Sequence, residues 1–503
     1  MTAARARLML LSAVALGVSG DLLFRAWPWR LNLVGWVALA LIAACATGWE
    51  QPFAFDRSPR GRDRMIALVA TFAAAIGLVL RDASTLYFYD LVALLTCAAI
   101  TVWLPLGRSL PRFRIRDAVR AWWAAILTML GGAPLLVFRD AEWASTTSAG
   151  GRRVRAAAIG TLLALPPVFV VSSLLAQADP RFDDLLRVWP RLGLEEVAGH
   201  LAVAALVAWP AAGWLRGMVR PIVSPIVGRY LPPARIDFLG IAPALYAIVG
   251  LLAVFLGLQA RALFGGAAYV EATTGLTYAE FARGGFFQLV AVTAIVLGLL
   301  LLGDWVLDRR EGEAARRFQT AGWALLALLG VLMASALQRM WVYVSYYGLS
   351  DTRLYATAGM VWVGVALGWF GWTILRGRRA RFGIGLLVAS AGWIAALNVL
   401  NPEAVVVRVN LARALAGSEF DIPYHAYLSA DAVPALVDAA EQLPAAACGP
   451  LVAKLHEVWT KRSGEGLDWR TWSLPTARAR RLLDHSIESL QRDHCPAFIP
   501  FDH

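Results

Sequence analysis

The side chains best suited to chemistry lie inside, or at the ends of, long apolar stretches. Asp90, in STLYFYDLVALLTC, sits about seven residues into such a stretch, roughly 10 Å deep at 1.5 Å per helical residue. A carboxylate costs about 2.5–3.5 kcal/mol at the centre of a bilayer and less near its edge, so it should face protein and be paired. Tyr87 and Tyr89 flank it but neutralise nothing. Arg339, near the end of a later apolar stretch, is the cation expected at comparable depth, with Arg283 and Arg353 next in reach. An Asp90–Arg339 contact is therefore expected. Glu280 and Arg283 are spaced i,i+3 on a helix that Thr277 can cap, and Asn398 lies at the end of the last apolar stretch. Asp90, Glu280, Arg283, Arg339, Arg353 and Asn398 are read together as one outward-facing polar pocket. The competing reading is an ion pair that only supports the fold.

Other reactive residues give weaker patterns. Asp179, Asp183 and Asp184 cluster in ADPRFDDLLRVWPRLGLEE, but without a histidine they read as the polar face of a solvated helix. His494, Cys495 and His503 lack the fourth ligand that a closed metal site needs. His425, His456 and His485 read as packing or surface residues, and Cys45 and Cys97 as core residues within apolar runs. Cys448 and Cys495 form a candidate disulfide if the C-terminal region lies in an oxidising compartment. Closing a loop of about 48 residues would stabilise that region by roughly 4 kcal/mol, against the alternative of two free thiols. The chain has no Gly-x-x-x-x-Gly-Lys loop, Gly-x-Gly-x-x-Gly turn, Cys-x-x-Cys or His-Glu-x-x-His. No catalytic residue, metal or cofactor is assigned.

These residues must be positioned by membrane helices. Only 16% of the 503 residues are charged and 59% are hydrophobic, with mean hydropathy +0.59, whereas a soluble protein carries about 25% charged residues. Stretches long enough to span occur at 8–24, 31–49, 65–81, 83–105, 156–177, 197–215, 237–259, 285–303, 318–337, 355–374 and 382–399. The first reads as an uncleaved span, because no small-residue cleavage site follows it. With the N-terminus inside, the inner loops carry 27 basic residues and the outer loops 10, and this bias fixes the orientation. The same distribution explains the net charge of +12 and argues against a nucleic-acid partner. Residues 121–138 are apolar, but basic residues flank both sides and Gly131-Gly132 and Pro134 break the run. They are expected to lie along the interface, with a re-entrant hairpin as the alternative.

Residues 400–503 contain 13 acidic and 10 basic residues and read as a small soluble helical domain following a 1–399 membrane domain. Asn401-Pro402 should open a helix to about Ala416, and Ser429 should cap a second at about 430–442. Further helices are expected at about 449–463 and 476–491, with Trp469 and Trp472 filling the core between helices. The fold class is thus an all-α polytopic bundle of about eleven spans with a helical extracytoplasmic C-terminal domain.

Several stretches are similar to those of a known family. They are LLAQADPRFDDLL at 174–186, LTYAEFARGGFFQL at 276–289, QRMWVYVSYYGLSDTRLY at 338–355, and NPEAVVVRVNLAR, FDIPYHAYLSADAVPAL and DWRTW in the C-terminal region. The chain resembles the bacterial inner-membrane proteins grouped as domain of unknown function 4153/4173. That resemblance implies a polytopic inner-membrane location and supplies no substrate, cofactor or catalytic residue. The leading reading is a non-enzymatic protein, transporter-like or an envelope accessory component, with the lipid bilayer as its surroundings. The alternatives are a scaffold or sensor whose tail binds an extracytoplasmic protein, and a polytopic lipid- or glycosyl-transferase. Against the transferase, the first outer loop is short, with only Asp21 beside it.

Overall fold

Apolar runs in a bilayer become helices because lipid offers no partner for backbone N–H and C=O groups. The computed structural model describes residues 1–48, 58–141, 194–222, 237–274, 286–307, 312–463 and 468–493, with scattered positions between 160 and 182. Among these it has sixteen α-helices and no strand. The membrane part comprises α1 Ala3–Phe24, α2 Leu31–Gly48, α3 Pro59–Leu80, α4 Ser84–Trp103, α5 Ile115–Leu135, α6 Leu194–Gly217, α7 Phe238–Thr274, α8 Phe286–Val306, α9 Gly312–Tyr347, α10 Asp351–Phe370 and α11 Phe382–Leu400. The tail comprises α12 Pro402–Leu415, α13 Ile422–Ala426, α14 Val433–Gln442, α15 Ala445–Ser463 and α16 Leu474–Asp493.

Eleven described helices are long and apolar enough to cross a membrane. Ten of them coincide with expected spans, and the eleventh is α5. Most of the expected span at 156–177 lies outside the described residues.

Hydrogen bonds at helix ends define two faces of this bundle. On the N-terminal face, Arg5 donates to the Thr47 carbonyl at the end of α2. Arg64, at the start of α3, donates to the carbonyls of Gly48 and of Met218, which follows α6. Arg379, before α11, donates to the Asp304 carboxylate in the last turn of α8. On the opposite face, Arg81 after α3 donates to the Asn398 carbonyl near the end of α11.

By its contacts α5 belongs to the N-terminal face along its whole length. Just before it, Leu110 donates to the Asp63 carboxylate at the start of α3, 2.9 Å away. Beyond its far end, Arg216 donates to Asp140 at 2.6 Å and Arg7 to the Ala141 carbonyl at 3.3 Å. Length and composition would let α5 cross, yet both of its ends stay on one face. In its last turn it packs on α6 through facing glycines. A Cβ at Gly132 would meet the Gly213 Cα at 2.7 Å, so only a small residue fits at this crossing.

The tail helices share one core that includes Val406, Val407, Leu436, Leu451, Leu455 and Ala479, joined by Leu354 of α10. Asn401 caps α12 as expected, its side chain accepting from the Ala404 amide with Pro402 in the first turn. Two expectations for the tail are corrected. The N-cap of α14 is Ala432, without a side-chain bond; the Ser429 hydroxyl accepts from the Asp431 amide at 3.2 Å and donates to Glu403, one turn ahead of the helix. Trp469 is 64% exposed and Trp472 39%, so neither fills the tail core. Their turn sits on the end of α1, where Arg470 donates to the Leu22 carbonyl at 2.6 Å, and indole rings suit that wet–apolar boundary.

Candidate functional site

The tail is fixed to the membrane helices by side chains that satisfy orphan groups at helix ends. Asp431 Oδ2 accepts from the backbone amides of Asp82 and Ala83, immediately before α4, while its Oδ1 receives Arg81 Nη1 at 3.2 Å. Arg413 of α12 donates to the carbonyls of Val344 and Tyr346 in the last turn of α9. Asn410 clamps the loop between α9 and α10, accepting from the Leu349 amide at 2.9 Å and donating to its carbonyl at 2.7 Å. The Tyr424 hydroxyl receives the Asp351 amide at the start of α10.

At the centre of this junction is Glu403, in the first turn of α12 and only 7% exposed. Ser429 donates to Glu403 Oε2 twice, from its amide at 2.7 Å and its hydroxyl at 2.6 Å. Burial dominates these bonds and, with the nearby charges of Asp431 and Asp82, pushes the Glu403 carboxyl up to about 7. Burial also raises Asp431, against the opposing pull of its two amide bonds and Arg81. Burial pulls the His425 imidazole below its ordinary value; the ring stacks on Phe420 at 4.2 Å and meets Asn410 Nδ2 at 2.9 Å.

Asp90 is 3% exposed, and Asn398 Nδ2 donates to its two oxygens at 3.1 and 3.3 Å. Gly77 makes room for it, since a Cβ there would fall 2.6 Å from the carboxyl carbon. The expected Asp90–Arg339 contact is not formed. Asp90 lies between α3 and α11, whereas Arg339 is on α9, whose core is shared with α7, α8 and α10. Asn398 links Asp90 to the junction, because its own carbonyl accepts from Arg81. A continuous polar chain thus runs from Asp90 through Asn398, Arg81 and Asp431, whose amide donates to Ser429 Oγ, to Glu403.

Arg353 donates to the carbonyls of Tyr347 and Gly348 and lies 4.2 Å over the Tyr343 ring. It lines a cleft of about 350 Å³ with Asn410, Arg413, Tyr424 and His425. Glu280, Arg283, Asp183, Asp184 and Cys495 lie outside the described residues. Asp179 accepts from the Arg181 amide at 2.8 Å, and Cys448 is fully buried and disulfide-bonded. Asp21 is buried beside Arg25 and His200, which pair with it across α1 and α6.

A larger cleft, of about 760 Å³, opens between the tail and the membrane helices. Its lining includes Asp82, Asp351, Glu403, Arg462, Asp468 and Arg480. Arg30 pairs with Asp82 at 2.8 Å, and Arg470 pairs with Asp468 at 2.6 Å. Arg462 spends its donors on the carbonyls of Leu428 and Tyr427. Arg480 is half-buried and makes no hydrogen bond or ion pair among the described residues. Sequence reasoning missed Glu403, Ser429, Asp431, Arg81 and Arg480. The available signal was that two of the family-like stretches, NPEAVVVRVNLAR and FDIPYHAYLSADAVPAL, contain Glu403, Asn410, Tyr424, His425, Ser429 and Asp431.

The fold and the junction together define a multi-pass, all-α membrane protein whose C-terminal helices close over one face of its bundle. The family model described as Domain of unknown function (DUF4153) matches residues 64–439, and the chain belongs to that family. The match begins in α3 and ends in α14, so it includes both sides of the junction. The comparisons with curated proteins and with solved structures give no match.

Proposed function

We propose that this is a non-enzymatic envelope protein of the inner membrane that binds a polar, anion-bearing ligand in the cleft between tail and bundle. The observation that carries the reading is Arg480, a half-buried cation without a partner among the described residues, in a cleft of about 760 Å³. Two of the carboxylates lining it are already paired, Asp82 with Arg30 and Asp468 with Arg470, and burial raises the Glu403 carboxyl to about 7, which leaves it only partly charged at neutral pH. Glu403 and Asp351 remain as acceptors for hydroxyl or amine groups on the same ligand. Phosphoethanolamine tests this in the detergent-purified protein. It is expected to raise the thermal midpoint progressively with its concentration, following the logarithm of one plus the ratio of ligand to Kd, and Arg480→Gln is expected to abolish the shift. An equal shift in Arg480→Gln, or none in either protein, would remove the basis for the reading.

Our placement puts the N-terminus in the cytoplasm and the tail, with its cleft, outside. The 27-to-10 distribution of basic residues and the opposite faces of Arg5 and Asp431 support it. On that side Cys448 pairs with Cys495. A reporter active only outside the cytoplasm should work after Gly417 and fail after Gly150. The denatured, unreduced tail should expose no reactive thiol. The reverse reporter pattern would overturn the sidedness, and two labelled tail thiols would overturn the pairing.

A further inference from the structure

Beneath the polar cleft lies a second cavity, of about 240 Å³, lined by Phe24, Trp29, Leu33, Trp36, Leu95 and Trp214 among other apolar groups. One turn joins the two. Ala26, Trp27 and Pro28 form a wall of the polar cleft, while Phe24 and Trp29, at the ends of the same turn, line the apolar slot. The rings of Phe24, Trp29 and Trp36 pack at 5.4 Å and those of Trp27 and Trp29 at 5.3 Å, so the turn is held as an aromatic unit. The tail's Trp469–Thr471 turn lies over the start of α2, and Trp27 and Trp469 are 70% and 64% exposed. Exposed indoles at this level mark the headgroup zone of a bilayer.

We propose that the ligand is a phospholipid, with its phosphate on Arg480, the hydroxyl or amine of its head on Glu403 and Asp351, and one acyl chain in the slot below the Phe24–Trp29 turn. This rests on the ligand reading of the polar cleft and adds the slot to it. The charge pattern favours a phosphate flanked by hydrogen-bond donors, because the cleft offers Arg480, which has no hydrogen bond or ion pair among the described residues, beside two acceptors. The slot favours a chain, because its lining offers apolar surface within the membrane part of the bundle, where lipid chains are the available occupants.

The test uses the full-length protein in detergent and native mass spectrometry. The probes are phosphatidylethanolamine, diacylglycerol and the head alone, phosphoethanolamine. Phosphatidylethanolamine is expected to bind with a stoichiometry of one and at least about tenfold more tightly than phosphoethanolamine, a gap readable as a difference in dissociation constants. Diacylglycerol should not compete. Leu95→Trp, at a position already 43% exposed, fills the slot and should erase the advantage of the lipid while leaving phosphoethanolamine binding unchanged. Arg480→Gln should weaken both probes. If the head alone binds as tightly as the lipid, or Leu95→Trp leaves the lipid's advantage intact, the phospholipid assignment is overturned and the polar cleft still stands. If neither probe responds to Arg480→Gln, both readings fall together.

Discussion

Asp431→Ala is expected to loosen the tail from the bundle at a cost on the order of 3 kcal/mol. Two losses combine: the side-chain cap on the amides before α4, worth about 1–2 kcal/mol, and the charge-assisted bond to Arg81, worth about 1.5–3 kcal/mol. Asp431 is 3% exposed, so water replaces neither interaction cheaply, although Arg81 is partly solvated and the lower part of each range applies to it. The variant should lower the thermal midpoint, and limited proteolysis should release the tail earlier. The exposed Asp438→Ala on α14 is the control. Equal behaviour of the two variants would show that the cap does not hold the tail.

The second large effect is a pH dependence centred on Glu403. Its carboxyl is raised from an ordinary 4.5 to about 7 in the folded protein, with burial as the main cause. The folded state therefore binds more protons than the unfolded state between those two values, and stability falls as pH rises through that window. The contribution is fully present below about pH 4.5 and lost above about pH 7, with a ceiling of about 3 kcal/mol from the size of the shift. Asp431 is also raised and acts in the same direction. Glu403→Gln should flatten the thermal midpoint between pH 5 and 8 and should make the protein more stable than the parent at pH 8. The glutamine can still accept from Ser429, so the fold should survive. An unchanged pH profile in Glu403→Gln would assign the titration to another group.

Much of the architecture could be read from local sequence. Ten of the expected spans appear as helices, because the need for about 20 apolar residues is a property of a continuous stretch and depends on no distant contact. The Asn401-Pro402 start of α12 is equally local, since capping involves a side chain and an amide three residues on. Mean hydropathy and charge placement settled the class of protein for the same reason. Partners could not be read in this way. Asp90 needed a partner, as its depth implied, but the choice of Asn398, 308 residues away, over Arg339 depended on which helices adjoin α4. Glu403 and Asp431 look like ordinary charges of a soluble tail until α12 and α14 dock on the ends of α3 and α4 and bury them. The course of α5 was likewise decided by contacts, through Asp63, Arg216 and Arg7 on one face. Hydrophobic length set which segments are able to enter the membrane, and the pairing of helix ends across the chain set the course of α5 and where buried charge, cleft and tail meet.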